Sequence, residues 1–599
     1  MSSPDSNDSK AVSPAGAGKP TAKPERSTEQ NLMLAFALAA VVMLGTQYFM
    51  PQTPAPTPKK AEQKAEQKSE QGAPPSAAPT PTPAASQLKP GSAPAPERIA
   101  AASEQTQVIE TDLYRVTFTN KGALVRNWVL KKYKDSGLKP LDVVNSKLAS
   151  KGLLYPFSLE GADWKPLPVV NEALYTATLT PDKLGIDFEF SDGVNYAKKS
   201  FRFGQGKYIV EFSSTVRERG IPKQNFVAWR GGFGDGSVIS AAASQQAVFY
   251  DANQLSSSWL GTTGGRGKLN TKTARDASDG PQVNRGGYSF AGLSDTYFAA
   301  VALPDAATDF RLTAVSNTLP NVLDGKEEAH VGALIGGETS NRFSMFIGPK
   351  DIGLMRGISP RLETLVDWGW WGFIAKPLFA VLHWVNDGFV HNWGWSIVVV
   401  TILVNLLTLP FRYSGLKASR KMALVQPELK KLQEKYAGMS MRDPRRAQQN
   451  EEMMALYSKH GVNPISGCIP NALILPVALA FYTALKTVIE LRGADWLWVA
   501  DLSRPETLAI RALPILMLVT QLLTMKMMPQ PGGDPTQQKM MMLMMPIMLV
   551  FFMYNQSSGL VLYWLTSNVV GIAQQMIFNR LAPAPVLPPV AAKSAAKKK

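Results

Sequence analysis

Five apolar stretches crowd the last third of the chain, near residues 394–411, 465–488, 510–528, 540–554 and 560–578, and several hold polar residues where lipid tails would lie. A polar side chain inside a membrane is costly and generally faces a cavity or a partner, so such a bundle reads as a device for moving polar matter. In the first stretch and just past its end, Thr401, Asn405, Thr408 and Arg412 are spaced 4, 3 and 4 apart. At about 100° per residue they share one helical face, a polar stripe that ends in a cation.

The pattern upstream is different. Residues 1–31 are polar and 32–50 form an apolar run. The long polar lead-in and the lack of a small-x-small site after the run favour an uncleaved transmembrane signal anchor over a cleaved signal peptide. Residues 51–105 follow as a tether: twelve prolines, no aromatic residue and an AEQKAEQK repeat between 51 and 99 cannot bury enough surface to fold. From 106 to 350 the period shifts to two, as in Tyr114-Val116-Phe118 and Ile186-Phe188-Phe190, with Gly, Asp and Asn turns between. This predicts a large antiparallel β-sandwich. Residues 361–390 are rich in Trp with apolar positions at helical spacing, which suits an amphipathic helix in the membrane interface, with a buried linker helix as the alternative.

Charge sets the orientation. Residues 412–464 hold eleven Lys or Arg, all between 412 and 460, against five acids, in two periodic halves split by GMSMRDP. That reads as a basic helical hairpin on the cytoplasmic side, whereas 489–509 mixes two arginines with four acids and falls on the other side. Alternation then makes 394–411, 465–488, 510–528, 540–554 and 560–578 the second to sixth spans, with a cytoplasmic loop at 529–539 and both termini inside. The fold class expected is a polytopic α-helical membrane protein of six transmembrane helices, five of them a core bundle, carrying an extracytoplasmic β-sandwich.

Composition removes some chemistry and leaves anionic partners open. The formal charge is +16, from 63 Lys and Arg against 47 Asp and Glu, which suits lipid headgroups, RNA or the cytoplasmic face of a membrane. The basic tail 580–599 fits ribosomal RNA or anionic lipid as well as a simple topogenic cluster. Cys468 is the single cysteine, and His330, His383, His391 and His460 are scattered, so neither a disulfide framework nor a metal cluster is indicated. No phosphate loop or nucleophile elbow is present. The β-sandwich is of a kind that can bind sugars, but its Asp and Glu show no catalytic pairing, which favours a scaffold. A solute channel or transporter would show repeated halves with matched broken helices, and none is visible here.

The segments NWGWSIVVVTILVNLLTLP (392–410), EEMMALYSKHGVNPISGCIP (451–470), DPTQQKMMMLMMP (534–546) and SGLVLYWLTSNVVGIAQQ (558–575), in this order, resemble the YidC-type membrane protein insertases. The anchor, tether and large β domain are similar to the Gram-negative form of that family, whose β domain is a supersandwich. The resemblance implies an insertase and chaperone of the bacterial inner membrane, acting without cofactor or small-molecule substrate. Its clients would be nascent membrane proteins, taken with or without the secretion translocon, and its further partners the ribosome, through the basic hairpin and tail, and anionic lipids. It also implies a hydrophilic groove among the five C-terminal spans, with the client's apolar helix leaving along two of them.

Groove residues expected on this basis are Thr401, Asn405, Thr408, Arg412, Gln521, Thr524, Gln574 and Gln575. The family usually carries a basic residue five positions before the proline that closes this span, and Asn405 stands there instead. Ser567 and Gly571 read as a packing seam of small residues. Contact with client helices is expected from Met541, Met545, Met548, Phe552, Tyr563 and Trp564, since unbranched methionine adapts to many shapes.

Overall fold

The computed structural model describes residues 98–581, with breaks at 150, 239–240, 258–262, 305–309, 322–324, 437–442, 463–468 and 528–534. The expected signal anchor, most of the tether and the basic tail lie outside the described residues. The chain divides into two units, 1–77 with 427–459 and 78–426 with 460–599.

Strands in the second unit run from Thr106–Glu110 to Ser340–Pro349 and form three antiparallel sheets. The widest has ten strands, and sheets of four and five strands pack on it. The cause is the period-two pattern. Along Asn195–Phe203, Ala197, Lys199, Phe201 and Phe203 all face inward while their neighbours are only partly covered. Phe201 meets Phe118 of the four-stranded sheet at 4.9 Å and Phe212 at 4.9 Å, and Trp128 meets Tyr114 at 5.4 Å, so an aromatic layer fills the space between those sheets. The five-stranded sheet supplies a second cluster of Phe226, Ala228, Val315 and Leu334. Buried Asn341 ties the sheets together by donating to Asn225 Oδ1 at 2.7 Å, which also accepts from Ser214 at 2.8 Å.

After the sheets come the helices. A short helix, Ile352–Ile358, and two turns of 3-10 helix, Pro360–Leu365, precede α1 (Gly372–Val385). The expected helix at 361–390 is therefore shorter, and it leaves Trp370, Phe373, Trp384 and Phe389 exposed while Ala375, Phe379, Leu382 and Val385 are buried. A wide turn, Asn386–Val390, and His391 in the left-handed region lead into α2 (Trp393–Leu407), bent 119° from α1. Asn392 caps α2 by accepting from Trp395 N–H. Gly394 is required there, because a Cβ would lie 2.3 Å from the Trp496 ring. Thr408 closes α2, and Pro410, which cannot donate, sits in the first turn of α3 (Leu409–Lys435).

The remaining helices are α4 (Arg445–Lys459), α5 (Ile469–Thr487), α6 (Ala512–Met527), α7 (Pro535–Met553) and α8 (Ser558–Leu581). In the first unit, α4 and the end of α3 carry ion pairs of their own, Lys435 to Glu452 at 2.8 Å and Lys459 to Glu428 at 4.0 Å. In the second, α8 packs against α6, α2 and α5. The expectation of six full spans meets shorter helices. Among the described residues α8 alone is long and apolar enough to cross a membrane by itself; α1 and α2 pass together as a bent pair, and α5, α6 and α7 hold shorter apolar segments. With 16 residues α6 rises about 24 Å, below the roughly 30 Å of a typical hydrocarbon core, whereas the 24 of α8 rise about 36 Å.

Candidate functional site

The face of α2 that carries Thr401 and Asn405 turns inward onto α8. Thr401 Oγ1 donates to Ile397 O at 2.6 Å and Thr408 Oγ1 to Val404 O at 2.9 Å, each satisfied within its own helix. Asn405 is 4% exposed; its Nδ2 donates to Thr401 O at 2.8 Å and its Oδ1 accepts from Ser567 of α8 at 3.4 Å. Its backbone carbonyl accepts from Gln574 Nε2 at 3.2 Å. These residues form a seam between α2 and α8. Contrary to the sequence expectation, Thr401, Asn405 and Thr408 are not among the residues that line the cavity, because Asn405 is taken up by α8 and both threonine hydroxyls are spent on carbonyls of α2.

The open space begins one turn further on. A cavity of about 100 Å³ is lined by Arg412, Gly415 and Ser419 of α3, Thr524 of α6, and Ser567, Asn568, Gly571, Gln574 and Gln575 of α8, among others. Arg412 Nη1 donates to Gln574 Oε1 at 3.3 Å. It fits because residue 571 is glycine, where a Cβ would sit 2.6 Å from that nitrogen. Asn568 Nδ2 donates to Thr520 Oγ1 at 3.3 Å across to α6, and Gln575 Nε2 to Asn579 Oδ1 at 3.2 Å. Of the expected groove residues, the structure brings Arg412, Thr524, Gln574 and Gln575 together here. Gln521, half-buried on α6, is not part of the lining.

Sequence reasoning favours packing over a wet face for Ser567 and Gly571, and it misses Asn568, Gly415 and Ser419. The signal for the last two was present: Arg412, Gly415 and Ser419 continue the helical face of Thr401 and Asn405, spaced 3 and 4. Both residues lie past Pro410 and Arg412, where the apolar run has ended and the chain turns basic.

The expected client-contact residues separate. Phe552 and Tyr563 are buried, and Tyr563 stacks on Phe481 of α5 at 4.6 Å, so neither is presented to the outside, contrary to expectation. Trp564 is half-buried against Tyr563, and Met548 is half-buried. Met545 is exposed, with Met544, Ile547 and above all Phe551, at 74%, on the same helix. The Met541 side chain lies outside the described residues. Among the described residues no group of His, Cys, Asp and Glu is placed to hold a metal ion.

Comparison with known proteins places this architecture. Residues 106–381 match the family model described as the YidC periplasmic domain and residues 384–584 that of the 60Kd inner membrane protein. "Membrane protein insertase YidC" of Ralstonia nicotianae is 30% identical over 511 residues, covering 83% of this chain and 88% of that one. The protein so named from Cupriavidus metallidurans is 31% identical over 515 residues, covering 83% and 87%. The relative from Wolinella succinogenes is 42% identical over 240 residues, 40% of this chain and 43% of its own. A solved structure, "Active YidC insertase crystal structure with the first transmembrane domain resolved", aligns over 80% of this chain and 93% of that one at 16% identity and a TM-score of 0.33. On the identity and coverage of these relatives, the chain belongs to the YidC family of membrane protein insertases.

Proposed function

We propose that this inner-membrane insertase admits the polar segment of a nascent membrane protein to the cavity between α3, α6 and α8, with Arg412 as its cation and Gln574 as the group that aims it. The Arg412–Gln574 contact beside the cavity carries this reading. A chain crossing hydrocarbon leaves each unsatisfied polar group at a cost of several kcal/mol. Amide, hydroxyl and guanidinium groups around a small wet space replace part of that lost solvation, so the barrier falls. Burial of the client's own apolar helix in lipid then drives the step, and no bond is made or broken in the insertase. Asn405 stands where the family usually has a basic residue, and Arg412, two residues past Pro410, supplies a guanidinium near the same face. The exposed Met544, Met545, Ile547 and Phe551 of α7 offer an adaptable apolar flank for the departing helix.

The same reading takes six spans with both termini in the cytoplasm, from the eleven basic residues of the hairpin and the basic tail. The contact of Arg492, in the loop between α5 and α6, with Asp235 of the β region supports placing that loop and the sheets on one side. Hairpin and tail serve the ribosome and anionic lipid, and the secretion translocon is a further partner. Neither an enzyme nor a solute channel is needed to account for these features.

A photo-crosslinker at Gln574 tests the cavity: it is expected to capture nascent client chains, while one at Leu406, on the exposed face of α2, captures lipid. Lipid alone at 574 would overturn the reading. Cysteines at Leu138 and Met454, both exposed, in a Cys468→Ser background should label from opposite sides of the membrane, and labelling from one side would overturn the topology.

A further inference from the structure

Arg492 and Arg504 lie in the loop between α5 and α6, and both reach the β region at one atom. Arg492 Nη2 donates to Asp235 Oδ2, and Arg504 Nη2 donates to the same oxygen at 3.1 Å. The joint is dry: the Arg492 and Asp235 side chains are 4% and 7% exposed. Arg492 also donates to Lys134 O at 2.8 Å, and its guanidinium lies 5.6 Å from the Tyr297 ring centroid and 5.2 Å from that of Phe298. Burial works to raise the Asp235 carboxyl, but Arg492 and the hydrogen bonds from Ser237 outweigh it and hold the group below the usual carboxylate range. Asp235 is thus a buried anion that two loop cations neutralise, and removing it takes from buried Arg492 its ion-pair partner, while Arg504 keeps Asp501 at 3.4 Å.

The same loop seats α8. The first N–H groups of a helix have no partner inside it. Here Arg504 O accepts from Ser558 N–H at 2.7 Å and from Ser558 Oγ at 2.7 Å, and Leu502 O accepts from Gly559 N–H at 2.8 Å. Arg504 therefore holds the β region with its guanidinium and α8 with its carbonyl. From Ser558 to Gln574 the helix rises about 24 Å, so its far end is the wall of the cavity.

We propose that Asp235 is a positioning residue for insertion. It fixes Arg492 and Arg504, their loop fixes the start of α8, and the register of Gly571, Gln574 and Gln575 opposite Arg412 depends on that seat. The β region is thereby a structural partner of the bundle rather than a tethered passenger. For what the far end of α8 does, this rests on the cavity reading above.

The test uses the full chain, Cys468→Ser, in lipid nanodiscs for distances and in proteoliposomes for client insertion. Spin labels at Leu407 and Ile577, both exposed near the far ends of α2 and α8, report the register. Asp235→Asn is expected to broaden the 407–577 distance distribution and slow insertion roughly tenfold, the order that follows from loosening one charge-assisted contact. Asp235→Glu, which keeps the charge, is expected to restore both. Insertion at the parental rate, or slow insertion with unchanged distances, overturns the proposal. If Asp235→Asn does not accumulate, half-buried Arg504→Gln takes its place with the same expected changes, and parental behaviour there overturns the proposal equally. Gly571→Leu separates this proposal from the cavity reading, since it should slow insertion with the 407–577 distances intact. Should it insert normally, the cavity reading fails while the distances in Asp235→Asn still decide the clamp.

Discussion

Replacing Gly571 with leucine would fill the cavity from its α8 wall. The first added carbon would lie 2.6 Å from Arg412 Nη1 and 3.6 Å from its Cζ, so the guanidinium must swing away from Gln574. It is the free end of a flexible side chain and can do so cheaply. The rest of the leucine enters a space of about 100 Å³. Within a helix, leucine is favoured over glycine by about 0.8 kcal/mol, which offsets part of an overpacking cost of about 1–3 kcal/mol. The bundle should therefore remain within about 2 kcal/mol of the parent. A client's polar segment loses more. One polar group left without a partner costs about 1–3 kcal/mol, and at 1.36 kcal/mol per decade insertion slows roughly 5- to 150-fold. Insertion into proteoliposomes would be followed for two clients that differ only in the polarity of the translocated segment, alongside thermal unfolding of the variant. Slowing confined to the polar client, with stability kept, is the expected result. Equal rates for the polar client in parent and variant would refute the cavity as the route.

Other outcomes follow from the same geometry. Arg412→Met should slow clients with acidic segments more than neutral ones and Arg412→Lys only slightly, whereas Asn405→Leu, at a buried seam position worth about 0.6 kcal/mol per hydrogen bond, should change insertion little; competition between paired clients measures all three. In the β region, Lys199 is fully buried and donates to the carbonyls of Gly122 at 2.6 Å and Phe157 at 2.7 Å, and burial pulls its pKa down to about 7. The unfolded chain holds that proton to about pH 10 while the folded one releases it above about 7, so stability should rise across that window by up to about 1.4 kcal/mol per pH unit and be flat below it. Hydrogen exchange of Asn195–Phe203 in the full chain, corrected for intrinsic rate, measures the slope, and Lys199→Met should abolish it; an unchanged slope would exclude Lys199 as its source. Arg230→Met should destabilise the β region by about 3–5 kcal/mol, because it strands the fully buried Glu160 carboxylate held at 2.5 and 2.7 Å, and a loss below about 1 kcal/mol in denaturant titration would show that the carboxylate is not stranded.

What was readable in the sequence depended on the range of the interactions. Alternation in Ile186-Phe188-Phe190 reports burial on one face of a sheet, a local property, so the β region was legible. Thr401 and Asn405 were legible as one face, but whether that face meets water or another helix is decided by residues more than 150 positions away, Ser567 and Gln574. The clamp on Asp235 was invisible for the same reason, since nothing near residue 235 in the chain announces two arginines beyond 490. Phe552 and Tyr563 were placed at the client surface by residue type, and it was Phe481, stacked on Tyr563, that decided otherwise for the latter.

The threonines of the bundle share a habit. Thr401, Thr408, Thr483, Thr487, Thr520 and Thr524 each donate to the carbonyl four residues earlier in their own helix. Helices that keep their hydroxyls in private use owe little to one another in hydrogen bonds. When such helices part, what is given up at these positions is packing against a neighbour, and lipid or a passing apolar segment can replace that almost in kind. Among the described residues the polar links from α8 to α2 and α6, Ser567 to Asn405, Gln574 to Asn405 and Asn568 to Thr520, run from 3.2 to 3.4 Å, at the long end of the range for such bonds, while α3 holds α8 more closely through Arg420 Nη2, which donates to Asn579 Oδ1 at 2.9 Å. The seams of α8 with α2 and α6 are thus built like a zip with few teeth, able to open sideways and close again at the cost of three long bonds.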